Sequence, residues 1–314
     1  ERLAPPLAPG ADPHEPLSHA SFHEVLFRRL PRCSAADHGG WRYEYLSSTY
    51  RYLSTVRPDA PPGSSASASF VPGRGAHALW RLCTSMFSGS IPASVRPWFL
   101  GGRLIALVKP GDRPDGLASE RKLRPIAIGS TIGRALTMIA AHQYRSRFAS
   151  FLQPPPPGST SRAPTQPDGS PWPAQVGVAC HSGLEFTTHS VRCVLDEHPD
   201  WVDVALDISN AFNSIHRRAF LDVIAKRFPG LWDWVWTNYG SPTELYVRCD
   251  GLPPEVILSR CGTRQGDPLG AQLFALGLHP ILLAISSLLG DRGMCIAYAD
   301  DIHLLAPPHV IDEI

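Results

Sequence analysis

At 314 residues, 43% of them apolar and 18% charged, the chain carries enough apolar surface for one large core or two modest ones, which excludes an intrinsically disordered protein. Lys and Arg number 29 against 28 Asp and Glu, and the resulting net charge of +1 excludes a global positive field, so any phosphate contact must come from local Arg and Lys clusters. The seven cysteines form no C-x-x-C pair and meet no paired His, which reads as reduced thiols in an intracellular protein, nuclear or cytoplasmic, and not as a zinc site. No apolar run reads as the ~20 residues a membrane span needs, so no membrane partner is expected. Glu1 follows neither a Met nor a signal peptide, and the chain reads as a piece of a longer protein.

In chain order, three stretches are too poor in apolar residues to order themselves: 5–16, a frayed lead-in, and 57–75 and 154–173, two surface insertions. Such insertions cost little, because each doubling of a loop adds only about 0.6 kcal/mol. Residues 76–87 and 129–148 show helical spacing, while 103–108 and 123–128 read as strands. Residues 201–206 alternate, with Val202, Val204 and Leu206 on one face and Asp203, Ala205 and Asp207 on the other, so that Asp207 ends a strand. Ser214 is predicted to cap a helix whose buried stripe is Phe220, Ile224 and Phe228. Trp232, Trp234 and Trp236 alternate like a stacking platform for bases, but burial over a helix end is the stronger reading. Asp267 followed by Pro268 predicts a helix start, with Leu269, Leu273 and Leu276 buried and Pro280 kinking or ending the helix. Finally 294–298 and 302–305 flank Ala299-Asp300-Asp301, the pattern of a β-hairpin with acids at its tip.

Two adjacent Asp residues in a tight turn repel each other unless a cation stands by, although a lone pair of this kind is more often solvated or capping. Asp207 offers a third carboxylate from a separate strand. Hard oxygen donors with open positions suit Mg²⁺, with Mn²⁺ as a substitute, and a pair of such ions suits phosphoryl transfer. The thirteen His residues offer no comparable set.

Three segments then decide the context: Leu206-Asp207-Ile208-Ser209-Asn210-Ala211-Phe212, Gly262-Thr263-Arg264-Gln265-Gly266-Asp267-Pro268-Leu269-Gly270, and Tyr298-Ala299-Asp300-Asp301. In this order and spacing they resemble the palm signatures of reverse transcriptases. Upstream, Asp37-His38-Gly39-Gly40-Trp41 with Arg42-Tyr43-Glu44-Tyr45-Leu46 is similar to the amino-terminal segment of the non-LTR retrotransposon enzymes, which usually carry Pro-Asp-Gly there. Leu107-Val108-Lys109-Pro110 and Arg124-Pro125-Ile126 resemble the two finger strands, and Gln175-Val176-Gly177 with Gly183-Leu184-Glu185 the segment entering the palm.

The resemblance implies an α+β fold: a right-hand palm, whose antiparallel sheet bears the acids and is backed by helices, joined to fingers. The chain divides accordingly into an extension and the start of the fingers (1–60), an insertion (61–75), fingers (76–153), a Pro-rich insertion (154–174) and palm (175–314). It further implies an RNA-directed DNA polymerase working on an RNA template, a DNA primer or target DNA, and dNTPs. Asp207 and Asp300 would bind both Mg²⁺ ions, with Asp301 supporting and the Ile208 carbonyl as a backbone ligand. Phe212 would exclude a 2′-hydroxyl, the alternative being a core aromatic. Gln265 and Gly266 would lie against nucleotide or template, the alternative being helix capping. Lys109 and Arg124 would meet the triphosphate, the alternative being solvated surface charge, and Arg134 is a further candidate. Asp203 reads as peripheral. A thumb is expected beyond Ile314, and the chain without it is expected to be weakly active or inactive; no endonuclease or zinc-knuckle signature is visible. Two rivals remain: an RNA-dependent RNA polymerase, disfavoured by Phe212 and the Tyr298-Ala299-Asp300-Asp301 form, and a non-catalytic remnant or domesticated module that binds RNA or a protein partner without polymerising.

Overall fold

A computed structural model describes residues 7, 15–55, 73–108, 123–153, 174–248, 253 and 255–314. Lys109 and most of the two expected insertions lie outside these residues. The first part of the chain is helical: α1 (His19–Glu24), continued by a π-helical turn, α2 (Tyr43–Thr55), α3 (Arg74–Phe87) and α4 (Arg96–Leu100). A hairpin follows, β1 (Gly102–Val108) and β2 (Leu123–Gly129), then α5 (Thr131–Leu152), β3 (Ala174–Gln175) and α6 (Gly183–Glu197). Next come β4 (Val202–Asp207), α7 (Ala211–Ser214), α8 (Arg217–Arg227), α9 (Trp232–Tyr239), β5 (Thr243–Val247) and β6 (Glu255–Ser259). The chain closes with α10 (Gly270–Leu289), β7 (Met294–Tyr298), β8 (Asp301–Ala306) and α11 (Pro308–Ile311).

Two sheets result, one in the order β2-β1-β5-β6 and one in the order β3-β7-β8-β4. The second is mixed and not wholly antiparallel as expected, because β3 runs parallel to β7 while β7, β8 and β4 alternate. Alternation along its strands gives it two apolar faces. One, with Cys295, Ala297, Ile302 and Leu304, packs on Phe274, Leu278 and Leu282 of α10. The other, with Ile296 and Leu305, packs on Val191, Val194 and Leu195 of α6. A larger core, centred on Tyr144, Phe148, Phe220 and Ile224, joins α1, α2, α3, α5, α8 and α9.

Several local readings are corrected. The lead-in is pinned from Glu15 onward, whose carboxylate accepts hydrogen bonds from Tyr144 and Arg147. Ser214 does not cap α8: left-handed Asn210 (φ +53°) starts the extra turn α7, the Ser214 hydroxyl donates back to the Ala211 carbonyl, and His216 Nδ1 accepts the Arg218 N–H instead. The expected stripe of Phe220, Ile224 and Phe228 is buried. Asp267 caps the turn before α10, its Oδ1 accepting the Leu269 N–H at 2.9 Å, and the helix proper begins at Gly270. Pro280 does not end α10, which runs on to Leu289. The Trp run is helical, and Trp234 is buried with its indole N–H on Thr137 Oγ1. Only Val204 of the β4 apolar face is covered, because β4 is an edge strand, and Val202 and Leu206 remain 37% and 40% exposed.

Helix α10 also corrects the reading of apolar runs. Its 20 residues contain no Asp, Glu, Lys or Arg, and it is long and apolar enough to cross a membrane. In the fold it is the central core helix, gripped by the sheet through Phe274, Leu278 and Leu282 and by the larger core through Leu273 and Leu276. His279 on this helix is buried beside Phe151, and burial pushes its pKa down from 6.5 to about 4. The folded value lies below the unfolded one, so the stability contributed by the neutral ring is whole above pH 6.5 and is lost as the pH falls through about 4. Acidification is expected to cost up to about 3 kcal/mol through this residue. Urea midpoints of the wild type and His279→Leu across that range check it: the variant should show the shallower loss, and parallel losses would refute the assignment.

Candidate active site

The acidic hairpin has a two-residue turn, Ala299-Asp300, between Tyr298 and Asp301, which are paired across the strands. Turns this short need a positive φ, usually supplied by glycine or asparagine, and here Ala299 takes it at +55°. Asp301 thus already belongs to β8 and faces Asp207, its Cα partner on β4; such partners stand about 5 Å apart. The two strands therefore bring carboxylates from distant parts of the chain side by side.

They do not all face one space. Asp207 and Asp300 line a cleft of about 1120 Å³, together with Ile208, Phe212, Gln265, Gly266 and Arg124. Asp301 opens instead on a neighbouring crevice of about 400 Å³, shared with Asp207 and with Thr188 and Arg192 of α6. Burial first, and then the charges of Asp301 and Asp207, hold the Asp300 carboxyl above its ordinary value, with Arg124 acting in the opposite direction. Asp203 pairs with His303 at 2.9 Å and does not line the cleft.

The other walls come from three directions. Arg124 is exposed on β2 and overlooks the acids. Phe212 on α7 is half-buried: its ring packs on Phe274 with centroids 4.6 Å apart, and its carbonyl accepts the Thr263 N–H at 2.7 Å. The ring thus packs on the core, and Phe212 also lines the cleft. The Gln265 carbonyl accepts the Ala127 N–H of β2 at 2.7 Å, and Gly266 (φ +103°) lies so close that a Cβ would stand 2.6 Å from the Ala127 carbonyl oxygen. Only glycine permits this approach of the loop to the strand. Arg134 lies elsewhere, its guanidinium over the Tyr43 ring.

Among the described residues no three His, Cys, Asp or Glu side chains already form a cage for a metal ion. The donor set nevertheless fits Mg²⁺, which is held by one or two carboxylates with substrate phosphates completing the shell. Asp207 and Asp300, which line the cleft, could supply the carboxylates, and the Ile208 carbonyl, which accepts the Ala211 N–H at 3.2 Å, keeps a second lone pair.

A family profile described as reverse transcriptase (RNA-dependent DNA polymerase) matches residues 109–309. The chain belongs to this family. The match takes in β2, Asp207, the 262–270 loop and the acidic hairpin, while the amino-terminal segment 37–46 lies outside it. Enzymes of this family use divalent metals. A retrotransposable element SLACS 132 kDa protein of Trypanosoma brucei gambiense is 31% identical over 111 residues, which are 35% of this chain and 9% of that protein. Apo telomerase from Candida tropicalis, truncated from its C-terminal domain, superposes with a TM-score of 0.44 at 10% identity, covering 76% of this chain and 50% of that one. A partial Cas6-RT-Cas1–Cas2 complex gives 0.33 at 16% identity, covering 74% and 36%. Neither superposition is close enough to locate residues.

In this reverse transcriptase chain the sequence reading passed over the residues that hold the walls in place. Arg264 donates to the Leu100 carbonyl (2.7 Å) and to Asn238 Oδ1 (3.0 Å), lies 3.7 Å from Asp267, and has its guanidinium over the Tyr239 ring. Tyr239 donates its hydroxyl to Asp267 Oδ2, closing a buried network behind Gln265 and Gly266. Asp37 is buried as well: Oδ1 accepts the Gly39 and Trp41 N–H groups and Oδ2 the Thr131 N–H, so it ties the amino-terminal segment to the start of α5. Charged residues inside motifs were the available signal, but their partners are distant in sequence.

Proposed function

We propose that this chain is the polymerising part of an RNA-directed DNA polymerase of a non-LTR retrotransposon, adding deoxynucleotides from dNTPs to the 3′ end of a DNA primer or target DNA on an RNA template. The observation that carries this is one cleft lined by Asp207 and Asp300 from two strands, with Arg124, Phe212 and the Gln265–Gly266 loop around it. In-line phosphoryl transfer asks the protein chiefly for positioning and charge neutralisation, and these walls are suited to both.

Asp207, Asp300 and the Ile208 carbonyl would hold two Mg²⁺ ions, with Mn²⁺ as a substitute and Asp301 supporting from the adjoining crevice. Bound there, the ions would supply the charge that lowers the pKa of the primer 3′-hydroxyl and offsets the charge of the leaving pyrophosphate. Arg124 would clamp triphosphate oxygens through its planar fork, with Lys109 as a second contact. The Gln265–Gly266 backbone would lie along the nucleotide or template. Phe212, fixed by Phe274 behind it, would stand where a 2′-hydroxyl needs room.

Primer extension on an RNA template with Mg²⁺, comparing dNTPs with NTPs, tests the reading in the full-length protein. Extension with dNTPs alone supports it; extension with NTPs alone would replace it with an RNA polymerase, and none at all with a binding module. Phe212→Val is expected to lower the preference for dNTPs over NTPs by at least about tenfold, near 1.4 kcal/mol, since it removes a steric exclusion. Single-nucleotide incorporation kinetics measure this, and an unchanged ratio would leave Phe212 as a core residue only.

A further inference from the structure

The turn that carries Asp300 is held from outside its own hairpin. Gln175 is 0% exposed, at the end of the two-residue strand β3, which runs parallel to β7. Its side-chain amide makes a paired contact with one residue of the turn: Nε2 donates to the Ala299 carbonyl at 3.1 Å, and Oε1 accepts the Ala299 N–H at 3.0 Å. Oε1 also accepts the Gly177 N–H at 3.0 Å. A carboxylate could not make the first of these bonds, and an ammonium could not make the second; only an amide offers both a donor and an acceptor at this length.

Ala299 is the residue that the turn forces to φ +55°, a conformation that alanine disfavours. The segment lies directly against it. A Cβ on Gly177 would stand 2.2 Å from the Ala299 nitrogen, and one on Gly183 would stand 2.1 Å from the Val176 carbonyl oxygen. Val176 N–H donates to the Ala297 carbonyl at 2.8 Å, which fixes the register of the segment along β7. The peptide that leads into Asp300 is therefore oriented by a side chain 124 residues upstream.

We infer that Gln175 is a positioning residue: its amide holds Ala299 in the left-handed conformation and thereby sets the direction in which the Asp300 carboxylate enters the cleft. This rests on the polymerase reading above, in which Asp300 is a metal ligand. Loss of the amide removes the brace from this strained turn, so that Asp300 is no longer held in line with Asp207.

The test uses Gln175→Met in the full-length protein, with the wild type and Asp300→Ala alongside, and thermal melting to confirm folding. Mn²⁺ binding followed by electron paramagnetic resonance is expected to weaken by about tenfold, as for other residues that orient a metal ligand. Exchange protection of the Ala299 amide is expected to fall, and kcat for primer extension to drop about 10- to 100-fold with little change in KM for dNTP. Adding Ala299→Gly to Gln175→Met is expected to recover part of the loss, because glycine adopts positive φ without help. Should Gln175→Met not fold, Gln175→Glu, which keeps the length and removes the donor, takes its place. Wild-type Mn²⁺ affinity and kcat in a folded variant would overturn the inference, as would a double variant no better than the single. Absence of extension by the wild type would overturn the polymerase reading instead, and Mn²⁺ binding and amide exchange would still decide the role of Gln175.

Discussion

Asp300→Ala is expected to reduce primer extension by at least about 10³-fold, equivalent to ~4 kcal/mol of transition-state stabilisation, while leaving the protein as stable as the wild type or more so. The two halves of this expectation have one cause. Asp300 is held above its ordinary value by burial and by Asp301 and Asp207, so at neutral pH its ionised form is an unfavourable element of the fold. The sign follows from linkage: a carboxyl with a raised folded pKa contributes stability below its unfolded value of 3.8, and that contribution is lost as the pH rises through the folded value. Asp300→Asn should therefore melt above the wild type near neutrality and lose that advantage below about pH 4. Extension assays paired with melting curves check both halves. Retained extension in the alanine variant would remove Asp300 from the site, and a lowered melting temperature would contradict the repulsion argument.

The second large effect is expected at Arg264. Its guanidinium is 10% exposed, Asp267 beside it is 9% exposed, and the two share a network with Tyr239, Asn238 and the Leu100 carbonyl. Arg264→Met leaves a buried carboxylate and a buried carbonyl without this partner, and removing one member of such a set typically costs about 3–5 kcal/mol. Arg264→Lys should rescue little, because an ammonium cannot reproduce the fork. Since the network backs the Gln265–Gly266 loop, the surviving folded fraction is expected to show a raised KM for dNTP. Urea unfolding and steady-state kinetics of both variants test this. A Met variant within about 1 kcal/mol of the wild type would show the network to be dispensable.

Much of this was legible residue by residue. The acids at 207, 300 and 301, the hairpin around them and the long helices announce themselves through spacing of two or of 3.6 and through the order of the motifs. Failures came where a local signal was short or ambiguous. A strand of two residues, β3, has no periodicity to detect. The start of α8 moved because left-handed Asn210 opened an additional turn that no propensity specifies.

The amino-acid sequence by itself determined the chemistry: hard oxygen donors, a large ring five residues after Asp207, and a glycine before the α10 helix, in an order that identified the family. Only the tertiary structure decided which groups meet. It paired Asp207 with Asp301, turned Asp300 into the large cleft and Asp301 into the adjoining crevice, and placed Gln175 on Ala299 and Asp37 on the start of α5. The physical reason is range. Periodicity and capping act over a turn or two of chain, whereas these contacts join residues separated by 94 to 124 positions and exist only once sheet register and core packing have brought them together.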